Sequence, residues 1–325
     1  MQELCKNIFT TPILLVNSPL KWINSYFIKG DSRNLIIDTA FNTAESWAIM
    51  QECMQELGFD PDKTDVFVTH LHADHSGLIA KLKNANNHIY VSRTDGALIN
   101  RFQNPEFFDF ITEINRIAGA PAEESLPGSS HVAYIHKPDF IVDFTYVAPG
   151  DTLTVGDYHF EVLDLSGHSP GQVGLYDPEN GNLFCGDHIL DRITPNIMAW
   201  DMEKDYLGLF LSNLKKLQEY TINRLFTAHR ELPDDPQKRI QQLIDHHEVR
   251  LNEVLDILNK ESVPVNAFKV ASQMTWSVRK GFADFPLMQK WFACGEALSH
   301  LQHLYMNGKI QRLGDAQRPT YTTLS

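Results

Sequence analysis

Apolar and polar positions along the chain alternate between two periods. Short apolar runs at residues 13–16, 25–28 and 35–38, separated by turn residues such as Lys29, Gly30 and Asp31, read as a strand meander. A helical stretch at residues 43–57, stopped by Gly58, leads to the run Val66, Phe67, Val68. A polar loop, a helix to Leu82 and a strand at residues 88–91 come next. Strand and helix alternating in this way imply an α/β sheet with helices laid on it.

From about residue 97 to 150 the pattern changes. Phe102, Phe107, Phe108, Phe110, Ile111 and Ile114 crowd a helical segment, and Pro121, Pro127, Gly128 and Pro138 interrupt the chain after it. This reads as an inserted pair of helices whose Phe102, Phe107 and Phe108 form a lid over a substrate cleft. His131 and His136 read as surface residues. A second β region begins with residues 152–155 and 158–163 around the turn Gly156-Asp157, and a further hairpin turns at Asn180-Gly181. A helix at residues 204–219 and a strand at 224–229 close the region. Beyond Pro236 the chain turns helical: Leu251, Val254, Leu255 and Leu258 keep the spacing of one buried face, Asn266 caps a short helix, and a long helix starts at Leu287. A terminal hairpin ends the chain. The expected division is therefore residues 1–235 and 236–325, with the insert at 97–150.

Composition changes this picture little. At 325 residues, 43% hydrophobic and 21% charged, the chain has the makings of two globular domains. Its net charge of 28 − 41 = −13 disfavours broad binding to nucleic acid or an anionic membrane. Four scattered cysteines, with no Cys-x-x-Cys pair, argue against a disulfide scaffold and fit a reducing, cytoplasmic setting. No stretch reaches the roughly 18 to 20 apolar residues of a membrane-spanning helix, and the protein is expected to be soluble. The uncharged run at residues 7–20 reads as a strand; it carries Pro12 and Pro19 and lacks a cleavage pattern.

Candidate chemistry concentrates where strands end. Residues 69–77, Thr-His-Leu-His-Ala-Asp-His-Ser-Gly, hold four potential metal ligands, His70, His72, Asp74 and His75, directly behind the 66–68 run. In an extended segment His70 and His72 share a face. Three more candidates stand at or just past strand ends: His168 on a Gly-His-Ser-Pro-Gly turn, Asp187, and His229. A carboxylate closing a buried strand, as Asp187 does, is costly unless paired with charge or metal. Imidazoles with carboxylates suit zinc or iron better than magnesium or calcium.

In this order, Asp38, the 69–77 stretch, His168, Asp187 and His229, the motifs resemble those of the metallo-β-lactamase superfamily across roughly residues 13–230. The resemblance implies an αββα sandwich with metals at one edge, a helical insert, and two zinc ions per chain, with iron, manganese or a mixed pair as alternatives. His70, His72 and His168 would hold one ion, Asp74, His75 and His229 the other, and Asp187 would bridge. A hydroxide between two such ions would attack an electrophilic carbonyl or phosphorus, with Asp74 orienting it or carrying a proton. Asp38 and His188 would act behind the ligands. Asp187 stands where secreted β-lactamases place a cysteine, and His72 where the flavodiiron branch has a glutamate. The last motif, Thr-Ala-His-Arg-Glu, surrounds its ligand with Arg230 and Glu231.

The pattern is most similar to that of glyoxalase II, which implies a hydrolase of esters or thioesters of glutathione, coenzyme A or a carrier. The alternatives are a metal-dependent single-strand ribonuclease and a non-catalytic metal-binding regulatory protein. The three helices and hairpin after Pro236 are similar to the mostly α winged-helix domain appended in the β-lactamase-like protein 2 group. Lys269, Arg279, Lys280, Lys290, Lys309 and Arg312 are scattered among acidic residues there. The segment therefore reads as a packing or dimerisation module, which leaves a homodimer open.

Overall fold

The computed structural model describes residues 1–277 and 281–324, and in the Asp109–Ala118 helix the side chains of residues 110–112 are not described. Arg279 and Lys280 lie outside the described residues, as do the side chains of Phe110 and Ile111. Strands β1 (Gln2–Cys5), β2 (Ile8–Leu14), β3 (Trp22–Ile28), β4 (Asn34–Ile37), β5 (Thr64–Phe67), β6 (Ile89–Ser92) and β7 (Thr145–Val147) form one sheet in chain order. It is antiparallel up to β4 and parallel from β4 to β7. A second sheet runs in the order β12-β11-β10-β9-β8, from β8 (Thr152–Val155), β9 (Tyr158–Asp164), β10 (Val173–Asp177), β11 (Asn182–Gly186) and β12 (Arg224–Thr227).

The period of two decides how the layers stack. In β4, Leu35 and Ile37 enter the core between the sheets with Tyr26, Phe160, Phe184 and Phe226, whereas Ile36 faces the helices outside. In β11, Phe184 points between the sheets, and Leu183 and Cys185 point outward to the Tyr206–Leu217 and Pro236–Lys260 helices. Both faces of both sheets are thus covered, giving an αβ/βα sandwich with β4, β5, β11 and β12 ending toward one edge. The strand expected at residues 13–16 is β2, which lies earlier at Ile8–Leu14 and pairs through Pro12 with Asn24, and β1 precedes it.

The aromatic segment packs inward. Phe102, Phe107 and Phe108 are 2%, 8% and 2% exposed and join Ile99, Ile114 and Leu126 in the core on the outer face of the first sheet. Three rings with centroids 5.6–5.8 Å apart satisfy one another, so they form a core and not an open lid. Phe102→Ala is accordingly expected to lower the unfolding free energy by about 3–5 kcal/mol in a urea titration. Unchanged stability would return this ring to the cleft. The stretch expected as an insert also opens on the Arg93–Arg101 helix and closes on β7, an edge strand of the first sheet. His131 is buried against Trp291 rather than at the surface, and His136 stacks on Phe41 with centroids 4.2 Å apart.

After β12 the chain is mostly helical: Pro236–Lys260, Ala267–Gln273 and Leu287–Met306, then the hairpin of β13 (Ile310–Leu313) and β14 (Thr320–Thr323). The first of these helices belongs to two cores. Ile240, Leu243 and Ile244 pack on the second sheet, whereas Val254, Ile257 and Leu258 pack with Ala297, Leu298, Leu301 and Tyr321.

Candidate metal centre

The structure brings His70, His72, Asp74, His75, His168, Asp187 and His229 together at the strand-end edge. They fall into two groups, His70, His72, His168 and Asp187, and Asp74, His75 and His229; within each, the ligand atoms lie within 4.8 Å of one another. Local folding explains each placement. The chain leaves β5 through Thr69 and turns into the Ala73–Ser76 helix, so His70 and His72 are presented before the helix and Asp74 and His75 on its first turn. Gly167 (φ 136°) makes the turn that carries His168, and a Cβ there would meet Phe210 at 2.5 Å. Gly186 (φ 52°) ends β11 against Thr69 Oγ1, delivering Asp187.

Four rings are held by their outer nitrogen. His75 Nδ1–H donates to Asp38 Oδ2 (2.7 Å), His168 Nδ1–H to the Asn196 carbonyl (2.8 Å) and His229 Nδ1–H to the Trp22 carbonyl (2.8 Å). His70 Nδ1 lies 3.1 Å from Thr69 Oγ1, whose hydroxyl donates to Asp38 Oδ2. This pattern fixes the tautomer that leaves each Nε2 lone pair facing inward.

On the inward side ring nitrogens crowd one another. His70 Nε2 and His168 Nε2 lie 2.9 and 3.0 Å from His72 Nδ1, and the one proton a neutral His72 can place there satisfies only one of them. Buried His75 Nε2, His229 Nε2 and Asp187 Oδ1 make no hydrogen bond. Asp187 spans both groups: Oδ1 is 3.5 Å from His75 Nε2 and 3.4 Å from His229 Nε2, and Oδ2 is 3.7 Å from His168 Nε2. Buried polar atoms left this way are costly unless something binds them. Five imidazoles and two carboxylates are a donor set that could hold divalent metal ions.

Charge divides the two halves. Burial lowers the basicity of His70, His72 and His168, with neighbouring imidazoles adding to it, and takes His72 down to about 3. Burial acts the same way on His75 and His229, but Asp38, Asp187 and Asp74 override it for His75, and Asp187 and Asp74 for His229, so both go up. Burial would raise Asp74, yet His75 and His229 hold it down at about 2. They also keep Asp187 well below the usual carboxylate range.

Asp38 takes a left-handed backbone (φ 57°) and binds Thr69 as well as His75. His188 is fully buried with its ring 4.7 Å from Phe210, and burial with the nearby His168 takes its basicity down to about 3. Three contributors were not foreseen. Asp95 Oδ2 accepts from the Leu71 amide (2.9 Å) and the Ser169 hydroxyl (2.5 Å), tying the two ligand loops together. Ser92 and Asp95 have capping-box spacing, which hides this second use of the carboxylate. Trp200 stacks over His72 (centroids 6.2 Å apart, 27°) and donates Nε1–H to the His168 carbonyl. Asn196 serves through its backbone, which leaves no mark in sequence.

Known proteins share both the fold and this region. A family model described as the metallo-beta-lactamase superfamily matches residues 23–229, and one for the metallo-beta-lactamase-like C-terminal domain matches residues 283–321. The probable metallo-hydrolase YqjP of Bacillus subtilis is 24% identical over 77% of this chain and 79% of its own length. The acyl-coenzyme A thioesterase MBLAC2 of Bos taurus is 20% identical, covering 63% of this chain and 72% of that protein. Among solved structures, the metallo-beta-lactamase family protein TTHA1429 of Thermus thermophilus superposes with a TM-score of 0.82 at 24% identity. That match covers 99% of this chain and all of the other.

Proposed function

Because the chain belongs to the metallo-beta-lactamase superfamily, we propose that it is a two-zinc hydrolase of acyl thioesters. In this reading His70, His72 and His168 would hold one ion and Asp74, His75 and His229 the other, with Asp187 facing both groups. The observation that carries it is the buried His75 Nε2, His229 Nε2 and Asp187 Oδ1 left without a hydrogen-bond partner, beside the crowded ring nitrogens of His70, His72 and His168. Two such ions lower the pKa of a shared water towards about 7 and polarise a carbonyl.

The chain's own residues supply the rest. The Asp38, Asn196 and Trp22 acceptors keep the rings oriented, and Asp74, held ionised, is placed to take a proton from the attacking water and return it to the leaving group. A thiolate leaves with little acid assistance, which suits a site whose titratable groups are nearly all committed to ligation. Trp200 gives the His72 side a flat apolar wall for the acyl portion. The thioester class draws support from the acyl-coenzyme A thioesterase relative. Four free cysteines support a reducing, cytoplasmic setting, and no described helix is long and apolar enough to cross a membrane. The order of three helices and a hairpin supports a winged-helix-like C-terminal part. Its Lys269 and Lys290 pair with Glu261 and Glu124, which removes cationic charge a nucleic-acid platform needs.

The test is thiol release from coenzyme A and glutathione thioesters by zinc-loaded and chelator-stripped protein, with single-stranded RNA assayed in parallel. Release that disappears on stripping and returns with zinc is the expected result. Intact thioesters alongside metal-dependent RNA cleavage would overturn the substrate class.

A further inference from the structure

The His168 ring is fixed by one irregular segment. Its Nδ1–H donates to the Asn196 carbonyl at 2.8 Å, and its own carbonyl accepts from Trp200 Nε1–H at 3.2 Å. Between β11 and the Tyr206–Leu217 helix this segment has neither helix nor strand to stiffen it. It is instead laid along the Leu287–Met306 helix. Asn196 Nδ2 donates to Glu296 Oε2 (3.0 Å), the Ala199 amide to the Gly295 carbonyl (3.3 Å), and Gln302 Nε2 to the Met202 carbonyl (2.7 Å). His303 Nδ1 meets Asp205 at 2.9 Å. Positions 295, 296, 302 and 303 share one side of an α-helix. A Cβ on Gly295 would already approach Met198 Cβ at 3.1 Å, so the backbone passes close.

Within this contact Glu296 is out of place as a packing residue. Its side chain is only 14% exposed, and Arg250 Nε stands 3.8 Å away, beyond a hydrogen bond. A buried carboxylate so loosely paired adds little to stability. Its oxygen does hold the side chain of Asn196, whose amide otherwise reaches only the Phe292 carbonyl at 3.4 Å and whose backbone carbonyl orients the His168 ring. We infer that Glu296 is a positioning residue of the metal centre, acting through Asn196 to hold the His168 imidazole, so that the C-terminal helix completes the site formed by the two sheets. The inference rests on the hydrolase reading above.

Zinc affinity of the full chain, measured by competition with a chromogenic chelator, tests it together with thioester kinetics and urea unfolding. Glu296→Ala is expected to leave one ion bound as in the wild type and to weaken the other about 10- to 100-fold, with kcat falling more than KM rises. Glu296→Gln keeps an oxygen that accepts from Asn196 and should stay within about threefold of the wild type, the range of context effects on one retained hydrogen bond. Asn196→Ala leaves the Arg250–Glu296 pair intact and should reproduce the selective loss even where Glu296→Ala unfolds. Two ions at wild-type affinity in Asn196→Ala would overturn the inference alone. A wild-type chain that takes up no ion would sink the hydrolase reading and the inference with it.

Discussion

Asp187→Asn is expected to abolish turnover, lowering kcat by about a thousandfold or more, which corresponds to about 4 kcal/mol of lost transition-state stabilisation. The reason is geometric. One carboxylate faces both ligand groups, with Oδ1 at 3.4–3.5 Å from His229 and His75 and Oδ2 at 3.7 Å from His168. An amide supplies an acceptor on one side only. Its NH2 on the other side finds an imidazole lone pair waiting and donates to it, so the variant closes with its own hydrogen bond the gap that a cation would occupy. Zinc content should fall below two ions per chain. Circular dichroism should retain the helices, because Asp187 lies just past β11 and its ion-pair contacts among the described residues are with His75, His168 and His229. Full activity in a zinc-replete assay would remove Asp187 from the bridging position.

The seven candidate ligands were legible because their chemistry is local: each follows a strand, and three histidines within six residues have no use in a core. What holds them was not legible. The acceptors for His168 and His229 are backbone carbonyls of Asn196 and Trp22, the latter 207 positions away in the chain, and any residue type carries a carbonyl. The two sheets followed from alternation, but alternation does not say what lies over a face. Phe102, Phe107 and Phe108 thus read as a lid until the Asp109–Ala118 helix is seen closing on them. The part the Pro236–Lys260 helix plays was hidden in a similar way. The apolar stripe of the Pro236–Lys260 helix is continuous, and only its contacts reveal that one half serves the second sheet and the other the C-terminal core.

Asp38→Ala and Asp38→Asn should separate folding from metal binding at the same residue. Asp38 accepts from the Thr69 amide (2.8 Å), the Thr69 hydroxyl (2.7 Å) and His75 Nδ1–H (2.7 Å), while almost wholly buried in a left-handed conformation. Alanine strands the Thr69 amide and the His75 N–H, at about 1–3 kcal/mol each, and pays about 1–2 kcal/mol for φ 57°. Asp38→Ala should therefore unfold several kcal/mol more easily and lose zinc as well. Asparagine tolerates the backbone and keeps one oxygen, so its stability loss should be smaller. Its NH2 must nevertheless oppose either the Thr69 amide, which cannot change, or His75, which can shift its proton from Nδ1 to Nε2. The shift is the cheaper adjustment, and it places an N–H where the inward lone pair was needed. Asp38→Asn should therefore remain nearly as stable as the wild type in urea yet bind the ion at His75 at least 10- to 100-fold more weakly, on the order expected for a lost partner behind a ligand. Wild-type zinc affinity in Asp38→Asn would show that the carboxylate supports the fold without setting the tautomer of His75.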